Sequence, residues 1–149
     1  MNLNIPYMET DNKLLNDAYR IAAGDIVGNI VYYQNGLLTE EKPCMIAGLD
    51  YNTPWTRDTA INIWNALSIL SPEVSKNTLL AVLEEEEGNI YIGGQYWDSI
   101  IWMIGAREYC RFHKDDNFYR LAFEAGRNSV HRLEEDEFDE EDGLFRGPA

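Results

Sequence analysis

The chain has 149 residues, 45% of them hydrophobic, which is enough for one domain that buries a core of its own. Its formal net charge of -14, from 26 Asp and Glu against 12 Lys and Arg, repels phosphate backbones and anionic lipid, so nucleic acid and membrane surfaces are excluded as expected partners. No uncharged apolar stretch of spanning length is present, and residues 1–6 have no basic segment leading into an apolar run; a soluble, cytoplasmic protein is expected.

Leu14, Leu15, Ala18, Tyr19, Ala22 and Ile26 recur at steps of three and four, the spacing of one face of an amphipathic helix over residues 11–27, with Asp11 as its N-cap. Residues 28–53 combine Val31, Tyr32 and Tyr33 with the turn pair Asn35-Gly36 and read as a long excursion with some extended structure. Helical spacing returns from Thr56 with Ala60, Ile61, Trp64, Leu67 and Leu70. Ser71-Pro72-Glu73 then stops it and starts a second helix through Val74, Leu79, Leu80 and Leu83. Glycines 88, 93 and 94 interrupt the pattern before Ile100, Ile101, Met103, Ile104 and Tyr109 resume it. Asp115-Asp116-Asn117 caps a last helix reaching about Leu133. Together these predict an all-α fold of consecutive αα-hairpins, with no repeat at the level of residue identity.

Cys44 and Cys110 are far apart with no CxxC pair, and His113 and His131 lack zinc-ligand spacing, so free thiols, a reducing compartment and no metal are expected. The acidic run 134–142 lacks the alternating ligands and central glycine of a calcium loop and reads as a solvated helix end or loop. The turn-rich residues 142–149 either project Arg146 toward a binding groove or form a plain surface loop.

Two loop-to-helix junctions set aromatic residues beside charged ones: Asp50-Tyr51-Asn52-Thr53-Pro54-Trp55-Thr56-Arg57-Asp58 and Gly93-Gly94-Gln95-Tyr96-Trp97-Asp98. A sugar ring offers an apolar face that stacks on Trp or Tyr and edge hydroxyls that pair with carboxylates and guanidinium groups. Adjacent residues on a helix diverge, so Arg57 and Asp58 would fan toward different hydroxyls of one ring, Arg57 donating and Asp58 accepting. The same residues also admit a reading without ligand, in which Asp58 favours the helix N-terminus, Trp55 enters the core and Arg57 lies on the surface.

The segment Tyr51–Asp58 resembles the aromatic Trp-x-Arg-Asp segment of glucoamylases and related (α/α)6 enzymes. Asp98-Ser99-Ile100-Ile101-Trp102 through Tyr109, followed by Asp115 and Phe118, is similar to a hairpin of amylo-1,6-glucosidase and debranching-type domains. Gly93-Gly94 with Tyr96-Trp97-Asp98-Ser99 is similar to elements of trehalases, although the glycines sit closer to the tyrosine here. The matching segments cover residues 50 to 120.

The resemblance implies a six-hairpin (α/α)6 glycosidase toroid, of which 1–149 is an N-terminal portion, because a barrel needs twelve helices and this chain shows about five. It further implies an inverting, exo-acting glycoside hydrolase acting on α-glucosidic or similar carbohydrates without cofactor. Trp55, Arg57, Asp58, Tyr96, Trp97 and Asp98 would then bind the substrate, and the general acid and base would lie on later hairpins. The chain alone is expected to be inactive and to self-associate through exposed hairpin faces. The alternative from another class is a small helical, non-catalytic sugar-binding or protein-interaction module whose Trp55, Trp64, Trp97 and Trp102 serve packing or partner contacts.

Overall fold

The computed structural model describes residues 5–95 and 97–147. Helix α1 (Lys13–Gly28) starts at Asn12, whose side chain accepts from the backbone N–H groups of Leu14 and Leu15; the cap is therefore one residue later than the Asp11 expected from sequence. None of its residues is buried, and Ile26 is the one that packs against the main core. The apolar face legible in the sequence exists, but it points to solvent.

Strands β1 (Ile30–Tyr33) and β2 (Lys42–Met45) form an antiparallel ribbon with Ile30 opposite Met45. The ribbon is tied to helix α4 (Pro72–Ala81): Met45 N–H donates to Thr78 Oγ1 at 3.0 Å, and Asn77 Nδ2 to the Pro43 carbonyl at 3.2 Å. The connecting loop closes the end of the same helix. Leu37 N–H donates to the Leu80 carbonyl at 3.1 Å. Gly36, at φ 60°, passes so close that a Cβ would stand 2.6 Å from the carbonyl oxygens of Leu80 and Leu83, and glycine is the residue that fits.

Helix α2 (Thr56–Asn62) continues through a π-helical turn (Ile63–Leu67) into the short α3 (Ser68–Leu70). Ser71 then breaks the run, and Pro72 opens α4 where a missing N–H costs nothing. Strands β3 (Leu83–Glu86) and β4 (Asn89–Ile92) form a second ribbon whose turn, Glu87-Gly88, takes positive φ at both residues (51° and 81°), as a tight hairpin requires. Helix α5 (Asp98–Phe112) and helix α6 (Asp116–Glu137) complete the helical set, with Asp115 capping α6 through the Phe118 N–H. Strands β5 (Phe138–Asp139) and β6 (Leu144–Phe145) form a last small ribbon.

The chain is mostly helical, and these three ribbons correct the all-α expectation. Leu83 leaves the helix predicted for it because α4 ends at Ala81, its carbonyls met by the Gly36 loop, and Leu83 then pairs with Ile92. The core gathers Ile63 and Leu67 of the π turn, Val74 and Leu79 of α4, Leu83, Ile92, and Trp102, Ala106 and Tyr109 of α5, closed by Phe118 and Ala125 of α6. Trp102 is fully buried and its indole N–H donates to the Leu79 carbonyl at 3.3 Å, so its one polar atom is satisfied. Helices α2 and α5 meet at Gly105, where a Cβ would lie 2.8 Å from Ala60 Cα.

The buried residues of α5 are Asp98, Ser99, Trp102, Gly105, Ala106, Glu108 and Tyr109, while Ile100 and Ile104 are exposed. Among the described residues no helix is long and apolar enough to cross a membrane. Cys44 and Cys110 are both free, the first buried and the second half-buried. Burial pushes the Cys44 thiol up to about 12.

Candidate sugar-binding cleft

The two aromatic junctions come from chain segments far apart in sequence, and the backbone joins them at one point. Thr56, the first residue of α2, donates its hydroxyl to the Gly93 carbonyl at 2.8 Å, just past the end of β4. Gly93 is squeezed between the Val82 carbonyl and Glu84, and a Cβ there would stand 2.5 Å from Glu84 Oε1. Gly94 takes φ 112°, and a Cβ would stand 2.5 Å from Asp98 Oδ2. The Gly-Gly pair is thus what lets the chain pass over the start of α5 at contact distance.

Asp98 opens α5 and is 3% exposed. Its Oδ1 accepts from Arg57 Nη1 at 2.7 Å and its Oδ2 from the Gln95 backbone N–H at 2.9 Å, so each carboxylate oxygen has a partner. The same Arg57 nitrogen donates to Gln95 Oε1 at 3.2 Å. The guanidinium carbon lies 4.9 Å from the ring centre of Trp97 and 5.6 Å from that of Trp55, giving a cation held between two half-exposed indoles. Tyr51 meets Trp55 edge to face at 5.7 Å.

Beside this cluster is a cleft of about 320 Å³. Trp55, Arg57 and Asp98 line it, together with Glu84, Gln95 and Asn35. Trp97 lies outside the lining, against the Arg57 guanidinium. Asp58 lies in the first turn of α2, half-buried, outside the cleft lining, and its carboxylate makes no hydrogen bond or ion pair among the described residues. Tyr96 lies outside the described residues.

The arrangement differs in two ways from what the sequence predicts. The Arg-Asp pair is formed across the junctions, between Arg57 and Asp98, and not by divergence of the neighbours Arg57 and Asp58. Trp55 is exposed and Arg57 half-buried, the reverse of the reading in which Trp55 enters the core and Arg57 stays on the surface. Glu84, Gln95 and Asn35 were not expected from the sequence to contact a substrate. Glu84 is hidden there in the run Glu84 to Glu87, and only the β3–β4 ribbon turns it toward the cleft.

Arg146 is tied by Asp139 and Asp142, at 2.5 and 2.8 Å, into the β5–β6 ribbon and does not line the cleft. The acidic run 134–142 is the last turn of α6 followed by that ribbon. Among the described residues no group of three or more His, Cys, Asp or Glu side chains is placed to hold a metal ion.

No family model, curated protein or solved structure matches this chain in comparison with known proteins.

Proposed function

We propose that the cleft binds a carbohydrate and that the chain is the N-terminal portion of an inverting, exo-acting six-hairpin glycoside hydrolase acting on α-glucosidic or similar substrates. The observation that carries this reading is the meeting of Trp55, Arg57 and Asp98, from junctions 41 residues apart, at one open cleft, with Trp97 packed against Arg57 beside it. Two half-exposed indoles offer apolar platforms for a sugar ring. Arg57 has spent one of its nitrogens on Asp98 and Gln95, which leaves further N–H donors for hydroxyls. Glu84 supplies the cleft with a carboxylate that forms no ion pair among the described residues, whereas Asp98 holds the Arg57 fork in place.

In this reading the chain recognises the sugar and the later hairpins of the toroid carry out the hydrolysis. An inverting pair must flank one glycosidic bond about 6.5–9.5 Å apart with water between. Residues 1–149 contribute positioning to that reaction and no acid or base. The free thiols of Cys44 and Cys110 support a reducing, cytoplasmic setting. A second reading, a non-catalytic helical sugar-binding or interaction module, draws on the exposed Trp64 of the π turn and Ile100 and Ile104 of α5, apolar side chains with no core role.

Titration calorimetry and ligand-observed NMR with glucose, maltose, isomaltose and trehalose test the proposal. Weak binding of at least one sugar is expected, with no hydrolysis. Arg57→Ala should weaken it by about tenfold or more, the loss of one charge-assisted hydrogen bond. Glu84→Gln, at the exposed carboxylate of the cleft lining, should weaken binding while leaving the circular dichroism spectrum and melting temperature unchanged. Absence of binding to every sugar, or binding indifferent to Arg57→Ala, would refute it.

A further inference from the structure

Away from the cleft, and sharing none of its lining residues, α5 and α6 enclose an apolar groove. It consists of two depressions, of about 180 and 340 Å³, that share Met103, Ala122 and Phe123. Phe123 is 64% exposed and Tyr119 59%, an unusual cost for two aromatic rings on one helix. At the groove floor α6 packs tightly on α5: Gly126 is buried against Met103, where a Cβ would stand 2.7 Å from the sulfur.

The edges of this groove differ in charge from the rest of the molecule. Of the 12 Lys and Arg residues, eight are ion-paired with carboxylates; the other four, Arg107, Lys114, Arg120 and Arg127, have no carboxylate partner among the described residues and all belong to the α5–α6 hairpin. Arg107 and Arg127 line the two depressions; the one carboxylate in the lining, Glu134, stands with His131 at the far end of the second, 3.3 Å from the His131 ring. On a chain of net charge -14, unpaired cations concentrated beside an apolar groove call for an occupant that is apolar along its middle and acidic at its flank.

Helix α1 has that character. Leu14, Ala18 and Ile21 follow one another at i, i+4 and i+7 on a single stripe, all exposed, and Asp25 continues the stripe without an ion-pair partner among the described residues. No residue of α1 is buried by its own chain. We infer that α1 of a second copy of this chain lies in the α5–α6 groove, with Leu14 and Ile21 against Phe123 and Met103 and Asp25 beside Arg127. This is helix-in-groove recognition read by i, i+4 and i+7 anchors. A two-fold dimer built this way would use the contact twice.

Sedimentation equilibrium over a range of concentrations tests it, with circular dichroism to confirm that each variant keeps its helices. The chain is expected to dimerise. Ile21→Glu on α1 and Phe123→Glu in the groove should each raise the dimer Kd by about tenfold or more. Arg127→Glu should weaken the dimer and the added Asp25→Arg should restore it. A chain that stays monomeric throughout would overturn the inference. So would a dimer that survives Ile21→Glu but not Phe123→Glu, since another surface would then fill the groove, and so would failure of the charge swap to restore what Arg127→Glu removed.

Discussion

Replacing Asp98 by Ala would remove the side chain that joins the two halves of the cleft. Its carboxylate is 5% exposed, takes the Arg57 bond at 2.7 Å on one oxygen and the Gln95 amide at 2.9 Å on the other. A charge-assisted bond of this kind contributes about 1.5–3 kcal/mol and the amide bond about 0.5–1.5 kcal/mol. Stranding a fully buried charge would cost about 3–5 kcal/mol. Arg57 keeps 24% of its side chain exposed, so it can turn toward water once its partner is gone, and the loss stays below that range. A destabilisation of about 2–3 kcal/mol is expected, and at roughly 2–4 °C per kcal/mol for a chain of this size the melting temperature falls by about 5–10 °C. Asp98→Asn has the same shape and keeps one acceptor, so it should lose about half as much. Thermal and urea unfolding followed by circular dichroism measure both variants. A loss under about 0.5 kcal/mol for Asp98→Ala, the range of a solvated surface pair, would refute the reasoning that this carboxylate assembles the cleft.

Gly105→Ala should destabilise the chain by about 1–2 kcal/mol, because the new methyl would lie 2.8 Å from Ala60 Cα and 3.1 Å from its carbonyl oxygen, an overpacking that outweighs the roughly 1 kcal/mol of helix propensity gained. An increase in urea midpoint would show that α2 and α5 separate without cost. For Cys44 the thiol stays protonated in the folded chain up to about 12, while the unfolded thiol ionises near its ordinary value of about 8.5. The unfolded state therefore holds fewer protons above that lower value, and stability contributed by the neutral buried thiol is fully present below it and lost as pH rises toward about 12. Urea midpoints measured at about pH 8 and about pH 10 should fall more steeply for the native chain than for Cys44→Ala; equal slopes would contradict the assignment.

The beginnings of α4 and α6 were legible in the sequence because a cap is a local interaction, whereas for α1 the cap is Asn12 and not the neighbouring Asp11. Asp115 accepts from Phe118 N–H three residues away, and Pro72 suits the first turn of α4 whatever the rest of the chain does. The Asn35-Gly36 turn and the crowding of aromatic and charged residues at 51–58 and 93–98 were legible for the same reason. The β3–β4 ribbon was not: Glu84, Glu85 and Glu86 have poor strand propensity, and what holds them in a strand is pairing with Tyr91, Ile90 and Asn89 across a turn of two positive-φ residues.

Helical spacing also shows which side chains share a face without showing which face is covered. In α1 the stripe of Leu14, Ala18 and Ile21 follows the pattern of a buried face and is exposed. In α5 the apolar Ile100 and Ile104 face solvent, while Asp98, Ser99 and Gly105 are buried against residues supplied by α2 and by the loop after β4. The same holds in the cleft. Local sequence determined that Arg57 and Asp98 each stand at a helix start, but their pairing depends on Thr56 reaching Gly93, on two glycines letting the backbone pass, and on α2 lying against α5 at Ala60 and Gly105. Those are contacts between segments some forty residues apart, and burial is a property of such contacts, so only the tertiary structure decided which charged residue became the partner of Arg57.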